Sequence, residues 1–220
     1  MKIALVGYGK MGKAIEQLAI DRGHVISHKF TSQNPITKEK LKDIDVAIDF
    51  SLPNVAFDNI STLLNEGIAV VSGTTGWLQQ LNEVRNIALN KQTAFIHATN
   101  FSVGVNLFFE LNKKLAELMK NQNDYFCSIE ETHHTTKIDA PSGTAITLNE
   151  QLNQLIEIQS FRKTDAIGTH HVKYTSKIDS IEITHEAKNR KGFASGAVLA
   201  AEWIIDKKGC FSMKDVLNLK

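Results

Sequence analysis

Residues 131–145 read Glu-Thr-His-His-Thr-Thr-Lys-Ile-Asp-Ala-Pro-Ser-Gly-Thr-Ala. Histidine exchanges its proton near neutral pH, and lysine carries a compact positive charge on a mobile stem. His133 and His134 lie one helical turn's worth of sequence ahead of Lys137, and Pro141-Ser142-Gly143-Thr144 follows. That last run has the composition of a helix start, where backbone N–H groups lack partners and attract anions. A histidine can give a proton to a carbanion-like product, and a lysine can hold or polarise a substrate. Gly143 and Thr144 offer an N–H group and a hydroxyl to a substrate carboxylate. A stretch so composed suits hydride transfer to an electron-poor acceptor followed by protonation. A metal centre is not expected, although His170, His171 and His185 are also present. Adjacent residues on extended chain point apart, neither a His-x-x-x-His nor a cysteine partner accompanies the pair, and Lys137 repels a cation.

Such chemistry needs a coenzyme, and the first thirty residues offer a place for one. Ile3-Ala4-Leu5-Val6 is an apolar run suited to a buried parallel strand. It leads into Gly7-Tyr8-Gly9-Lys10-Met11-Gly12, a G-x-G-x-x-G, and then into Met11, Ala14, Ile15, Leu18 and Ala19 at helical spacing. Gly23 ends that helix, and His24-Val25-Ile26-Ser27 reads as a second strand. In this context the glycines read as a dinucleotide fingerprint: a tight turn, close approach to a pyrophosphate, and close helix packing.

Strand and helix keep alternating. Asp45–Phe50, Ile68–Val71 and Ala94–His97 read as strands, with helices from Pro53 to about Asn65 and on to about Leu89. The pattern predicts an α/β fold, a Rossmann-type doubly wound parallel sheet. Three loops fall at carboxyl ends of strands: the glycine loop, Gly73-Thr74-Thr75, and Ala98-Thr99-Asn100-Phe101. Such ends are where ligands bind in these sheets, so the three are expected to converge on one crevice. Beyond Phe101 the pattern changes to a long helix reaching about Lys120, a strand over Tyr125–Glu130, and a helix from Thr144 to about Ile156. His171–Thr175 and Ser180–His185 read as half-exposed antiparallel strands, and a last helix opens near Gly192 and runs through Ile204. An α/β half followed by a smaller α+β half predicts two domains with a cleft between them.

Net charge is +1 with 42% hydrophobic and 22% charged residues, which builds in no strong field for nucleic acid or an anionic membrane. No run approaches the roughly 20 apolar residues of a membrane span. Two distant cysteines, Cys127 and Cys210, fit a reducing compartment. A soluble cytoplasmic protein is expected, binding neither nucleic acid nor membrane.

The 131–145 stretch resembles the E-x-H-H-x-x-K-x-D-A-P-S-G-T-A segment of the 4-hydroxy-tetrahydrodipicolinate (dihydrodipicolinate) reductases. The resemblance continues through Val6–Gly12, Asp49-Phe50-Ser51, Gly73–Gly76, Asn100–Val105, Ile183–His185 and Phe193–Ala197, nearly the whole chain. It implies NADPH- or NADH-dependent reduction of a cyclic imine dicarboxylate, with water lost from the 4-hydroxy substrate, on the diaminopimelate route to lysine. By position, His133 is then the proton donor, Lys137 the assisting acid, and His134, Gly143 and Thr144 bind substrate. Gly7, Tyr8, Gly9, Lys10, Met11, Gly73, Thr74, Thr75, Ala98, Thr99, Asn100 and Phe101 line the coenzyme site. The resemblance also implies a homotetramer formed through the second domain, with the last helix returning to the cofactor domain. On that plan 1–102 with 194–220 form the dinucleotide-binding domain and 103–193 the substrate-binding and oligomerisation domain.

Two features depart from the family pattern: the glycine loop is one residue short, and little chain separates the helix after Thr144 from Ser160. The coenzyme stays open between NADPH and NADH. No acid follows the second strand to hold a ribose 2′-hydroxyl, and Lys29 and Lys10 tilt the reading towards NADPH, unless both are merely solvated. Two other readings remain at this level, another NAD(P)-dependent amino- or imino-acid dehydrogenase and a non-catalytic dinucleotide sensor.

Overall fold

The computed structural model describes residues 1–152, 154–189 and 191–219. Along the chain, β1 (Lys2–Val6), α1 (Lys10–Asp21), β2 (Val25–Phe30), β3 (Val46–Asp49), α2 (Pro53–Asn65), β4 (Ala69–Ser72), α3 (Leu81–Asn90) and β5 (Ala94–His97) come first. Then follow α4 (Val103–Met119), β6 (Phe126–His133), α5 (Gly143–Glu150), β7 (Ile158–Arg162), β8 (Thr169–Thr175) and β9 (Ser180–Glu186). The chain closes with α6 (Lys191–Ile204), β10 (Gly209–Phe211) and α7 (Met213–Val216). Two compact units result, Met1–Ser102 with Phe193–Lys220, and Val103–Gly192.

The first unit is a six-stranded sheet in the order β10-β5-β4-β3-β1-β2, every pairing parallel. Its central strands β1, β3, β4 and β5 are largely apolar along their length because both faces are covered. Ile3, Leu5, Ile48, Val71 and Ile96 meet α1 and α6 on one face. Ala4, Val6, Ala47, Val70 and Phe95 meet Ile60, Leu63, Leu64, Val84 and Ala88 on the other. Each fully buried Ile or Leu contributes about 1.5–3 kcal/mol, which makes these two layers the main source of the unit's stability. Small residues bring α6 close: a Cβ on Gly196 would lie 1.7 Å from the carbonyl oxygen of Phe101. The order of the sheet reverses between β1 and β3, the switch point at which sheets of this kind take ligands. Strand β10 and helix α7 carry too few residues to show a period, and the sequence reading omitted both.

The second unit is a four-stranded sheet in the order β7-β6-β8-β9. Strand β6 runs parallel to β7 and antiparallel to β8, and β8 pairs antiparallel with β9. Val105, Phe108 and Phe109 of α4 and Leu148 of α5 cover one face through Ile129, Val172 and Tyr174. Asn112, fully buried in α4, donates from Nδ2 to Leu148 O at 2.9 Å and to Gln151 Oε1 at 3.1 Å. This fastens α4 to the end of α5.

One expected helix is too long. The structure ends α5 at Glu150, not near Ile156. The side chain of Asn149 accepts from Ile156 N at 3.0 Å and donates to Ile156 O at 2.7 Å. It therefore satisfies the backbone of Ile156 outside a helix, the competition that short polar side chains offer. Strand β7, for which the sequence reading made no assignment, starts two residues later.

Candidate active site

In the first unit the turn after β1 depends on Gly7, whose φ of +86° is open to glycine at little strain. A Cβ there would also lie 2.3 Å from Phe50 O, so the loops after β1 and β3 touch backbone to backbone at the switch point. Gly12 brings α1 equally close, its missing Cβ 2.4 Å from Gly7 O. Gly9, by contrast, faces open space at the start of α1, with no side-chain cap. A pyrophosphate fits that position, which pairs free space with a helix N-terminus.

Two cavities adjoin this loop. One of about 510 Å³ is lined by Gly7, Tyr8, Gly9, Phe30, Ile36 and Leu52 among others. The other, of about 430 Å³, is lined by Gly9, Lys10, Met11, Gly73, Thr74 and Thr75 together with Phe50, Ser51 and Pro53. Of the three loops expected to converge, two line these cavities. Ala98, Thr99, Asn100 and Phe101 line neither. Phe101 is buried 5.9 Å from the Phe50 ring, and Asn100 accepts from Ser102 N at 2.9 Å.

Two further residues organise the pair of lining loops. Asp49, fully buried at the end of β3, accepts from Ser72 Oγ and from Thr74 Oγ1, each at 2.8 Å. Ser51 N donates to Thr74 Oγ1 at 2.9 Å. Burial pushes the Asp49 carboxyl up, against the hydrogen bonds from Ser51, Thr74 and Ser72. Lys29, read from sequence as drawing a 2′-phosphate unless merely solvated, is ion-paired in the structure. Its Nζ pairs with Glu16 Oε1 at 2.5 Å and lies 4.6 Å over the Tyr8 ring, and Tyr8 Oη donates to Glu16. An acid from α1 thus stands where the end of β2 has none.

In the second unit the alternation of β6 puts Glu131 and His133 on the face that the helices cover. Register places Glu131 opposite His170 on β8 and opposite Ser160 on β7. Glu131 is fully buried, and an unpaired carboxylate there would cost several kcal/mol. Ser142 N donates to its two oxygens at 3.0 and 3.2 Å, and Ser160 Oγ to Oε1 at 2.7 Å. His133 Nε2 lies 3.2 Å from Oε2 and His170 Nε2 3.6 Å from it. Burial by itself would raise the Glu131 carboxyl. His133, His170, Ser142 and Ser160 outweigh it and hold the group well below the usual range. Burial lowers His170 despite Glu131, so that ring is neutral at neutral pH.

The residues after β6 form a pinned loop. Lys137 Nζ reaches both Asp139 oxygens at 2.7 and 2.8 Å, and the lysine holds the Asp139 carboxyl low. Arg162 donates to the carbonyls of Lys137 at 3.2 Å and Asp139 at 2.7 Å. His134, half-buried, has Nδ1 2.8 Å from Thr136 Oγ1. Ser142 caps α5, accepting from Ala145 N at 3.2 Å, and leaves Gly143 exposed beside a half-buried Thr144. One end of the second unit therefore carries His133, His134, Lys137, Gly143 and Thr144, with Glu131 and His170 buried beneath. The sequence reading gave those last two no role in the site, because strand register is not written in local pattern. Glu131, His133 and His170 have donor atoms within 4.8 Å of one another, a spacing that metal ligands also adopt. Both Glu131 oxygens are already engaged by Ser142 and Ser160.

Comparison with known proteins agrees over the full length. Residues 1–101 match the family described as dihydrodipicolinate reductase, N-terminus, and residues 104–217 match dihydrodipicolinate reductase, C-terminus. A 4-hydroxy-tetrahydrodipicolinate reductase of Christiangramia forsetii is 50% identical over 236 aligned positions, covering 99% of this chain and 98% of that one. Another from Thermosipho africanus is 36% identical, with the same coverage. Among solved structures, a dipicolinate-bound dihydrodipicolinate reductase from Paenisporosarcina sp. TG-14 superposes with a TM-score of 0.79. It is 21% identical, and the match covers 96% of this chain and 97% of that one. With both halves matched and half of all aligned positions identical to a full-length relative, the chain belongs to the dihydrodipicolinate reductase family.

Proposed function

We propose that the chain divides its reaction between the two units, with the coenzyme held by the first and the proton supplied by the second. The reaction is the family's: NADPH or NADH reduces 4-hydroxy-tetrahydrodipicolinate to tetrahydrodipicolinate with loss of water, in the diaminopimelate route to lysine. Gly7, Tyr8, Gly9, Lys10, Met11, Gly73, Thr74 and Thr75 hold the coenzyme, and Ala98, Thr99, Asn100 and Phe101 support that site. When bound, the nicotinamide supplies the hydride. His133 gives the proton, Lys137 polarises the acceptor and neutralises developing charge, and His134 binds substrate. Gly143 and Thr144 grip one carboxylate, and no metal takes part.

The observation that carries this reading is the meeting of His133, Lys137 and the start of α5 at one end of β6. Those groups are what a dianionic acceptor awaiting a hydride and a proton requires. Membership of the family also decides against the dehydrogenase and sensor alternatives. Substrate made in the cuvette from pyruvate, aspartate semialdehyde and the preceding synthase tests the roles through NADPH and NADH absorbance. Lys137→Ala is expected to lose at least 100-fold in kcat while keeping its fold and its coenzyme affinity. An undiminished kcat would remove Lys137 from the mechanism.

We read the protein as a cytoplasmic homotetramer. In support, no described helix is long and apolar enough to cross a membrane. The face of the second sheet opposite its helices carries Phe126 and Phe161, 77% and 48% exposed, a surface that a second copy would cover. Light scattering on the purified chain measures the assembly directly, and a monomeric mass would contradict it.

A further inference from the structure

We propose that Glu131 is the positioning residue of the site: it fixes the ring of His133 through Nε2, leaving Nδ1 to exchange the proton with substrate. The inference rests on the reading of His133 as proton donor. His133 Nε2 is buried and makes no hydrogen bond among the described residues, and the Glu131 carboxylate 3.2 Å away is the acceptor at hand. A bond that is poorly aligned in the free enzyme commonly tightens in the complex. Because Glu131 carries a negative charge, the arrangement favours the Nε2–H form of the neutral ring and steadies the imidazolium before it gives up its proton.

The neighbours leave this role to Glu131. His170, packed edge-on against His133 with ring centroids 5.1 Å apart, has its own Nε2 3.2 Å from Ser142 Oγ. Arg162, which pairs with His133 from the neighbouring strand β7, donates to the carbonyls of Lys137 and Asp139. Lys137 itself is turned to Asp139, and His185 sits beyond His170 on β9. The same carboxylate holds Ser142 N, the cap of α5. A single buried charge therefore sets both the proton donor and the start of the helix that offers Gly143 and Thr144, and an error in either position would cost rate.

A double-mutant cycle separates this role from mere support of the fold. Glu131→Gln keeps the volume and removes the charge. It is expected to lower kcat by more than 10-fold with a smaller change in KM, and to have a much smaller effect on an enzyme already carrying His133→Gln, where only its hold on Ser142 N remains to be lost. An equal loss of kcat in both backgrounds, or no loss in the wild type, overturns the role of Glu131. A fully active His133→Gln enzyme overturns instead the reading beneath it. Should Glu131→Gln fail to fold, ¹⁵N NMR of the wild-type histidines decides, with His133 assigned by its loss in His133→Gln. The neutral ring is expected to carry its hydrogen on Nε2, and a hydrogen on Nδ1 would contradict the proposal.

Discussion

Thr74 Oγ1 donates to Asp49 Oδ2 at 2.8 Å, with Asp49 fully buried, and so ties the loop after β4 to the end of β3. The same oxygen accepts from Ser51 N at 2.9 Å, and Thr74 O receives Trp77 Nε1 at 2.8 Å. One hydroxyl thus positions backbone on both loops that line the cavities around Gly9. Thr74→Val keeps the shape, leaves Ser51 N without its partner and leaves Asp49 Oδ2 with Ser72 Oγ as its one remaining hydroxyl donor. The expected cost is about 1–3 kcal/mol, read by urea unfolding, together with weaker coenzyme binding read by nucleotide fluorescence. Unchanged stability and affinity would show that the loops are set by something else.

The Glu131 carboxyl is held low, so the folded state binds fewer protons there than the unfolded chain does. Its contribution is in place above about pH 4.3, the ordinary glutamate value, and is lost as pH falls towards the depressed folded value. Asp49, pushed up by burial, works in the other sense: its contribution is lost as pH rises through its folded value. Comparing wild type with Glu131→Gln cancels Asp49 from the difference. The variant is expected to be less stable by on the order of 2–3 kcal/mol at pH 7, with the gap narrowing progressively as pH falls below about 4.3. A gap that stays constant with pH would mean the carboxylate charge contributes nothing.

We propose that coenzyme choice depends on Lys29, which is paired with Glu16. Glu16→Gln frees the ammonium beside the end of β2, where a 2′-phosphate would lie. The ratio of kcat/KM for NADPH over NADH is expected to rise by about 3- to 5-fold, the scale of an exposed ion pair worth up to about 1 kcal/mol. Steady-state kinetics with both coenzymes measures it. A ratio that does not move would place the 2′-position away from Lys29.

How much of this was readable beforehand depended on the range of the interactions. β1, Gly7 and α1 follow from local apolar period and one left-handed glycine, so a window of twenty residues held the information. Helix α5 was overrun because Leu148, Leu152 and Ile156 continue a helical spacing, and only the contact of Asn149 with Ile156 reveals the stop. Strand β10 shows no period in Gly209-Cys210-Phe211 and owes its place to pairing with β5. Among the chemical groups, His133, His134 and Lys137 could be singled out because they are neighbours in sequence. Glu131 and His170 meet through the register of β6 with β8, and Ser160 joins them through β7, contacts to which no local pattern points.

We propose that His133 supplies the proton in an NAD(P)H-dependent reduction. The measurement that tests it most directly is the turnover of His133→Gln with freshly generated substrate, beside its coenzyme affinity. General-acid catalysis of this kind contributes about 10²–10⁴-fold. The account predicts a kcat reduced within that range with NADPH and NADH still bound at wild-type affinity. A variant that turns over within a few-fold of wild type would contradict it.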